Sequence, residues 1–207
     1  MQDMIRRHLE KRLSALLNEY PAVALVGPRQ CGKTTLAKVF KGKYYDLEQQ
    51  TERLRVDLEW EQVETSATLA VLDEAQAYPD LFPRLRGAID ANRRRTGRFL
   101  ILGSVSPALM RSVGESLAGR LAICELTPFL ISELPTPKDD LVWLAGGYPD
   151  GGILAPQRFP EWQKHYLELL AQRDLPNWGL PARPQLTLRL LRMLAAAHGT
   201  VWNASQM

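Results

Sequence analysis

Residues 27–34 read Gly-Pro-Arg-Gln-Cys-Gly-Lys-Thr and fit the phosphate-loop pattern G-x-x-x-x-G-K-[ST]. An apolar run at 22–26 precedes this loop, and a helix-forming stretch at 35–40 follows it. A strand, a glycine loop and a helix in this order aim backbone N–H groups and the positive end of a helix dipole at phosphate. These flanks favour a nucleotide site over the alternative, a simple glycine turn.

The residue types within the loop suit the phosphates of a nucleotide. Lys33 is expected to reach the β- and γ-phosphates, and the Thr34 hydroxyl to coordinate Mg²⁺. The sequence lacks an Asn-Lys-x-Asp guanine signature, which mildly favours ATP over GTP. The residues predicted to contact ATP or ADP are Gly27, Pro28, Arg29, Gln30, Cys31, Gly32, Lys33, Thr34 and Thr35.

An acidic pair ends the next strongly apolar segment, which we interpret as a Walker B strand at 68–74. The carboxyl ends of strands line the ligand crevice of an open α/β sheet, so this pair should lie beside the phosphate loop. Asp73 is predicted to hold Mg²⁺, and Glu74 to activate the attacking water as a general base. The alternative, a solvated acidic pair, loses weight beside a phosphate loop.

A serine at the end of the following predicted strand, 98–102, is a candidate for assisting hydrolysis. Ser104 should also face the crevice, where its hydroxyl could hydrogen-bond the γ-phosphate or the attacking water. An equally open alternative is that Ser104 caps a helix near Ser106 and Pro107. The sequence therefore leaves the role of Ser104 undecided.

Phosphoryl transfer also needs positive charge on the transition state, and an arginine finger commonly supplies it. Arg120 is the candidate finger, with Arg84 and Arg86 as weaker candidates that suit a solvated helix face better. A finger can also come from a neighbouring subunit, so a homo-oligomer is one way in which Arg120 would act.

The order of apolar segments predicts an α/β fold. Strands that alternate with helices indicate a three-layer αβα sandwich of the P-loop NTPase type, with a mostly parallel five-stranded sheet and a small helical segment after it. Strands are predicted at 22–26, 44–47, 68–72, 98–102 and 121–126. Helices are predicted at 5–17, 35–40, 48–64, 81–95, 162–172 and 186–197.

Composition divides the chain into three parts. Residues 1–130 hold the predicted ATPase core, with its N-terminal helix (5–17), phosphate loop and Walker B strand. Residues 131–160 are rich in proline and glycine and are interpreted as a linker. Residues 161–207 return to a helical pattern.

Bulk properties exclude several classes of protein. The 207 residues are 45% apolar, which is ordinary for a globular domain, and the net charge of +3 is too small to indicate a partner. No apolar run approaches the ~18 residues of a membrane span, and the first residues lack a signal core. Two cysteines fit a reducing compartment, so the cytoplasm is the expected location.

These motifs resemble, in order, those of a prokaryotic family of AAA-type P-loop ATPases with a C-terminal domain of unknown function that is partly winged-helix-like. The resemblance implies ATP at the phosphate loop, Mg²⁺ and water chemistry at Asp73 and Glu74, and sensing at Ser104 and Arg120. It also implies that 161–207 is the incomplete start of the C-terminal domain. The matching segments are 27–37, 72–76, 79–81, 85–90, 100–104, 106–107, 116–120, 125–129 with Glu133, 146–149, 166–167 and 173–174.

The expected function is an ATP-binding, Mg²⁺-dependent, ATP-hydrolysing molecular switch. One alternative is a P-loop kinase that transfers phosphate to an acceptor other than water. A second alternative is a non-hydrolysing nucleotide-binding module for DNA or protein interaction. A protein or DNA partner is expected to bind through the C-terminal region.

Overall fold

The computed structural model describes residues 5–104, 107–135, 139–180 and 183–201, which contain a five-stranded, fully parallel sheet. The strands are β1 (Ala22–Val26), β2 (Gly42–Asp46), β3 (Leu69–Asp73), β4 (Phe99–Gly103) and β5 (Leu121–Glu125). They lie in the order β2-β3-β4-β1-β5. The predicted α/β fold with a five-stranded sheet is confirmed, and every strand pair is parallel.

Helices cover both faces of the sheet and continue beyond it. Those of the sandwich are α1 (Leu9–Glu19), α2 (Lys33–Ala37), α3 (Gln50–Leu58), α4 (Trp60–Thr65), α5 (Leu81–Ala91) and α6 (Pro107–Leu117). Those that follow are α7 (Asp139–Ala145), α8 (Glu161–Leu169), α9 (Leu175–Asn177) and α10 (Pro184–Ala196). None of these described helices is long and apolar enough to cross a membrane.

The sheet separates two apolar layers because alternate strand residues point to opposite faces. On one face, Ala24 and Ile101 pack with α3, α4, α5 and α6. On the other face, Leu25 and Leu100 pack with α1 and α2. All five residues of β1 are buried, as expected for a central strand covered on both sides. A fully buried leucine or isoleucine contributes about 1.5–3 kcal/mol.

Several element boundaries differ from the sequence prediction by up to four residues; the predicted helix 81–95, for example, ends at Ala91. The N-terminal helix begins at Leu9 rather than residue 5, and the side chain of Arg7 instead anchors a buried ion pair. The predicted helix 48–64 is two helices, α3 and α4, that meet at Glu59. The predicted linker 131–160 contains α7 and a π-helical turn at Pro149–Ile153.

The parallel register brings the functional loops to one edge of the sheet. Val26 of β1 lies opposite Gly103 of β4 and Glu125 of β5, and Leu72 of β3 lies opposite Ile101. The chain therefore leaves β1, β3 and β4 at the same edge. This edge carries the phosphate loop after β1, the acidic pair at the end of β3 and Ser104 after β4.

Candidate nucleotide site

The phosphate loop needs glycine at two positions. A Cβ at Gly27 would lie 2.2 Å from the carbonyl oxygen of Leu126, so only glycine lets the loop pass this close to the end of β5. Gly32 has a φ of 99°, in the left-handed region that glycine adopts without a steric penalty. The loop can therefore turn directly from β1 into α2.

Lys33 is folded against its own loop. Its side chain is buried, and Nζ donates hydrogen bonds to the carbonyl oxygens of Gly27, at 3.1 Å, and Pro28, at 2.9 Å. A buried ammonium group requires such partners because burial without them is costly. The carbonyls hold the Lys33 ammonium at the floor of the loop, within the cradle that would receive phosphate.

Asp73 and Thr34, the two residues predicted to hold Mg²⁺, lie in direct contact. The Thr34 hydroxyl donates to Oδ2 of Asp73 at 2.6 Å, and Tyr44 donates its phenolic hydroxyl to the same oxygen at 2.6 Å. The backbone N–H of Glu74 donates to Oδ1 of Asp73 at 2.9 Å. Hydroxyl and carboxylate oxygens are hard ligands that suit Mg²⁺, so this donor set fits that ion.

Glu74 occupies an unusual backbone conformation. Its φ of 51° and ψ of 45° place it in the left-handed region, which costs a non-glycine residue roughly 1–2 kcal/mol. The bend turns the chain from β3 into the short 3₁₀ helix Ala75–Ala77, whose Gln76 donates from Nε2 to the Glu74 carboxylate. Glu74 itself lines the cavity beside the phosphate loop.

Ser104 is buried at the carboxyl end of β4, and its hydroxyl has no hydrogen-bond partner among the described residues. A buried hydroxyl without a partner is costly, which makes this oxygen available to a bound group. Ser104 also lines a small cavity next to Pro28 and Arg29. The alternative cap near Ser106 and Pro107 involves residue 106, which lies outside the described residues.

Arg120 lies at the amino ends of the strands, whereas the phosphate loop lies at their carboxyl ends. It precedes Leu121, which pairs with Ala22 at the start of β1, whereas the loop follows the end of β1. Five residues of strand separate the two levels, roughly 16 Å at ~3.3 Å per residue. Arg120 binds both carboxylate oxygens of Asp90 at 2.8 Å and lowers the pKa of Asp90 to about 2. The prediction that Arg120 assists catalysis therefore does not fit a nucleotide on the same subunit, and Arg120 stays a candidate only for a neighbouring one.

The phosphate-side cavity is bounded by both the sheet edge and the helices that follow it. Its volume is about 440 Å³. Arg29 forms an ion pair with Asp174 at 3.1 Å, and Oε1 of Gln30 accepts a hydrogen bond from the Trp162 indole at 3.1 Å. Residues that line the cavity are Arg29, Gln30, Gly32, Lys33, Thr34, Thr35, Glu74, Pro149, Asp150, Leu169, Arg173 and Asp174.

A second, more apolar cavity of about 580 Å³ adjoins the first and shares Gly32, Thr35 and Pro149 with it. Its other walls come from the N-terminal segment and from residues after β5, among them Ile5 and Phe129. The two cavities therefore lie on either side of these shared residues, next to the phosphate loop.

Arg7 ties the N-terminal segment to the loop. Its guanidinium donates to the carbonyl oxygen of Cys31 at 3.0 Å, to Glu133 at 3.1 Å and to the carbonyl oxygen of Thr127 at 2.7 Å. The Cys31 side chain is fully buried, its thiol contacts the Leu126 carbonyl oxygen, and burial raises the pKa of this thiol. Cys31 therefore faces the core, and only its backbone is placed to serve a ligand.

Sequence patterns missed the residues that reach this site from distant parts of the chain. Tyr44 reads as an ordinary strand residue, and Arg7 stands in no motif. Glu133 and Asp174 enter only through the family resemblance. The one signal in the sequence for Tyr44 is the alternation of side chains along β2. This alternation places Tyr44 and its neighbour Tyr45 on opposite faces of the sheet.

The comparisons with known proteins agree with this geometry. The profile of the family described as "AAA domain" matches residues 19–135. Uncharacterized proteins of Mycobacterium tuberculosis and Mycobacterium bovis are each 34% identical over 208 residues, covering 98% of this chain and 47% of theirs. The chain thus spans about half the length of these curated relatives.

A solved structure shares the fold. The Walker-type ATPase PABY2304 of Pyrococcus abyssi superposes with a TM-score of 0.53 at 17% identity, covering 95% of this chain and 77% of that chain. At this identity the likeness shows the fold alone. The family match, which includes the phosphate loop and the acidic pair, shows that the chain belongs to the AAA domain family of P-loop ATPases.

Proposed function

We propose that this chain binds ATP with Mg²⁺ at the phosphate loop and hydrolyses the γ-phosphate. The observation that carries the proposal is the convergence of Lys33, Thr34, Asp73 and Glu74 on one sheet edge, with Thr34 and Asp73 in direct contact at 2.6 Å. These groups come from two separate motifs, 39 residues apart in the chain. Together they supply a cation for phosphate, oxygen ligands for a metal and a base for water.

The residues divide the chemical work among them. Lys33 exchanges its carbonyl partners for the β- and γ-phosphate oxygens, and Thr34 and Asp73 would hold Mg²⁺. The bound ion would supply positive charge that offsets the charge developing on the phosphate oxygens. Glu74 takes a proton from water as the water oxygen bonds to the γ-phosphorus and the bond to the β-phosphate oxygen breaks, releasing ADP and phosphate. Ser104 offers its free hydroxyl to the γ-phosphate or the water.

The apolar cavity is the proposed place for the base and ribose of ATP. It shares Gly32 and Thr35 with the phosphate-side cavity, and Leu36 and Phe129 give it apolar surface. Small-molecule sites are commonly concave, apolar and oriented by a few polar groups. This placement supports nucleotide binding over isolated phosphate binding.

The helical part that follows the sheet contacts the phosphate loop at two of its variable positions. Arg29 pairs with Asp174, and Gln30 accepts from Trp162. Trp162 stacks on Tyr166, whose hydroxyl is 3.1 Å from that of Tyr148. A loop that rearranges around phosphate would pull on both contacts. We therefore propose that residues 161–180 respond to the nucleotide state, as a switch requires.

Asp174→Asn should weaken this coupling while leaving nucleotide bound. In the wild type we expect ATP to change backbone hydrogen exchange across 161–174, and we expect Asp174→Asn to reduce that change at least severalfold because the Arg29 ion pair is lost. Glu161→Gln removes an exposed carboxylate from α8 and serves as the control. An undiminished exchange change in Asp174→Asn would contradict the coupling.

Phosphate release measured across protein concentrations tests hydrolysis and the role of Arg120 together. Arg120 lies at the amino ends of the strands, away from the phosphate loop of its own subunit. If a neighbouring subunit supplies this arginine, the activity should rise faster than the protein concentration. Arg120→Ala should then lower the rate of phosphate release by ~10³-fold or more. Asp90→Asn frees Arg120 without removing it, and Arg94→Ala removes an exposed arginine just after α5, so both should keep most of the activity.

The concentration series distinguishes a hydrolysing protein from a non-hydrolysing one. No phosphate release at any concentration would contradict hydrolysis and favour the non-hydrolysing module. Release in simple proportion to concentration, unchanged in Arg120→Ala, would remove Arg120 from catalysis.

Two expectations from the sequence stay predictions. One is the division of the chain at 1–130, 131–160 and 161–207, and the other is the binding of a protein or DNA through the C-terminal region. Residues 202–207 lie outside the described residues.

A further inference from the structure

We propose that Tyr44 is a positioning residue for the Mg²⁺ site, which it serves by holding the carboxylate of Asp73 in place through its phenolic hydroxyl. The inference rests on the proposed function, since it concerns the metal that accompanies ATP. The observation behind it is the 2.6 Å hydrogen bond from Tyr44 to Oδ2 of Asp73, which joins β2 to the end of β3. No sequence motif assigns a role to this tyrosine.

Hydrogen bonding explains why Asp73 needs a donor besides Thr34. Oδ2 of Asp73 accepts from both Thr34 and Tyr44, and Oδ1 accepts from the backbone of Glu74. Thr34 would have to serve both the metal and Asp73, because its hydroxyl would coordinate Mg²⁺ with a lone pair while its one proton points at Oδ2. Tyr44 is not a metal ligand in this scheme and can keep its bond to Asp73 throughout. It is therefore the side-chain donor whose bond to Asp73 does not depend on the geometry of the metal.

The surroundings of Tyr44 hold its hydroxyl toward Asp73. The ring is half-buried against α2, with the Lys38 ammonium 5.5 Å from its centre. β2 pairs with β3 in register, Tyr44 opposite Val71, which places the phenol within reach of the end of β3.

The neighbouring residue provides a matched control. Tyr45 lies next in the same strand and faces the opposite side of the sheet, where its hydroxyl donates to Glu59 at 2.9 Å. Its ring is fully buried in the apolar core. Tyr44→Phe and Tyr45→Phe thus remove the same atom from adjacent residues, one at the proposed metal site and one far from it.

The test measures how the binding of fluorescently labelled ADP depends on Mg²⁺, from EDTA up to millimolar MgCl₂. Outer-shell partners of metal ligands commonly change metal affinity by 10–100-fold. Tyr44→Phe should therefore bind labelled ADP like the wild type in EDTA, yet need about 10-fold more Mg²⁺ to reach the half-point of the metal effect. Tyr45→Phe should show the wild-type half-point even where its melting temperature falls.

Two outcomes separate this proposal from the function on which it rests. Equal Mg²⁺ half-points for wild type, Tyr44→Phe and Tyr45→Phe would overturn the role of Tyr44 while leaving the nucleotide site intact. Absence of labelled-ADP binding by the wild type would instead overturn the nucleotide site. Tyr44→Met keeps apolar volume but lacks the hydroxyl, so it must repeat the raised half-point; a wild-type half-point in this variant overturns the proposal as well.

Discussion

Lys33→Ala should abolish the stabilisation that ATP gives to this protein. A ligand at a thousandfold excess over its dissociation constant adds ~4 kcal/mol to the folded state, and for a chain of this size that corresponds to roughly 10 °C in melting temperature. The wild type should show a rise of that order with saturating ATP and Mg²⁺. The variant should show almost none, because the cation that faces the β- and γ-phosphates is gone.

Differential scanning fluorimetry with and without ATP measures this effect within each variant, which cancels any change in the apoprotein. That cancellation matters because Lys33 also satisfies the carbonyls of Gly27 and Pro28, so its loss alters the empty loop too. Lys41→Ala removes an equal charge from an exposed position just after α2 and should keep the full ATP effect. A Lys33→Ala melting shift as large as the wild-type shift would rule out the phosphate loop as the ATP site.

Glu74→Gln should separate binding from hydrolysis. The amide keeps the size and one oxygen of the carboxylate but cannot take a proton from water. A positioned general base contributes about 10²–10⁴-fold, so phosphate release should fall by at least about 100-fold. The ATP-dependent melting shift should remain, because Lys33, Thr34 and Asp73 are unchanged.

Glu61→Gln offers the matched control, since Glu61 is an exposed carboxylate on α4, away from the cavity. Phosphate release and melting shift should both stay at wild-type values in this variant. If Glu74→Gln released phosphate at the wild-type rate, another group would have to act as the base. If it lost ATP binding instead, Glu74 would be a binding residue, and the proposed mechanism would be wrong.

The parts of this protein that sequence predicts well are those with short-range physical signals. β1 and β4 are uninterrupted apolar runs, which a strand covered on both faces requires, and glycine with lysine marks the loop between β1 and α2. The carboxyl-edge rule for parallel sheets then places Asp73 next to Thr34 without further information. Their 2.6 Å contact agrees with that expectation.

The parts that sequence could not predict depend on contacts between distant segments. Arg7 and Glu133 are 126 residues apart in the sequence, and Trp162 and Gln30 are 132 apart. No periodic pattern in the sequence predicts either contact. Arg120 shows a further limit, because a residue type suited to an arginine finger lies at the amino ends of the strands, away from the phosphate loop of its own subunit. Only strand order and direction could have revealed that.

The left-handed backbone at Glu74 should determine which residues are enriched at position 74 in a laboratory evolution experiment. Glycine and asparagine accept a φ of 51° far more readily than glutamate does. A library selected for thermal endurance alone should therefore enrich both residues at position 74, while one selected for ATP turnover should retain the acid. Divergence of the two populations at this single codon would show that the strained conformation is maintained for chemistry and not for folding.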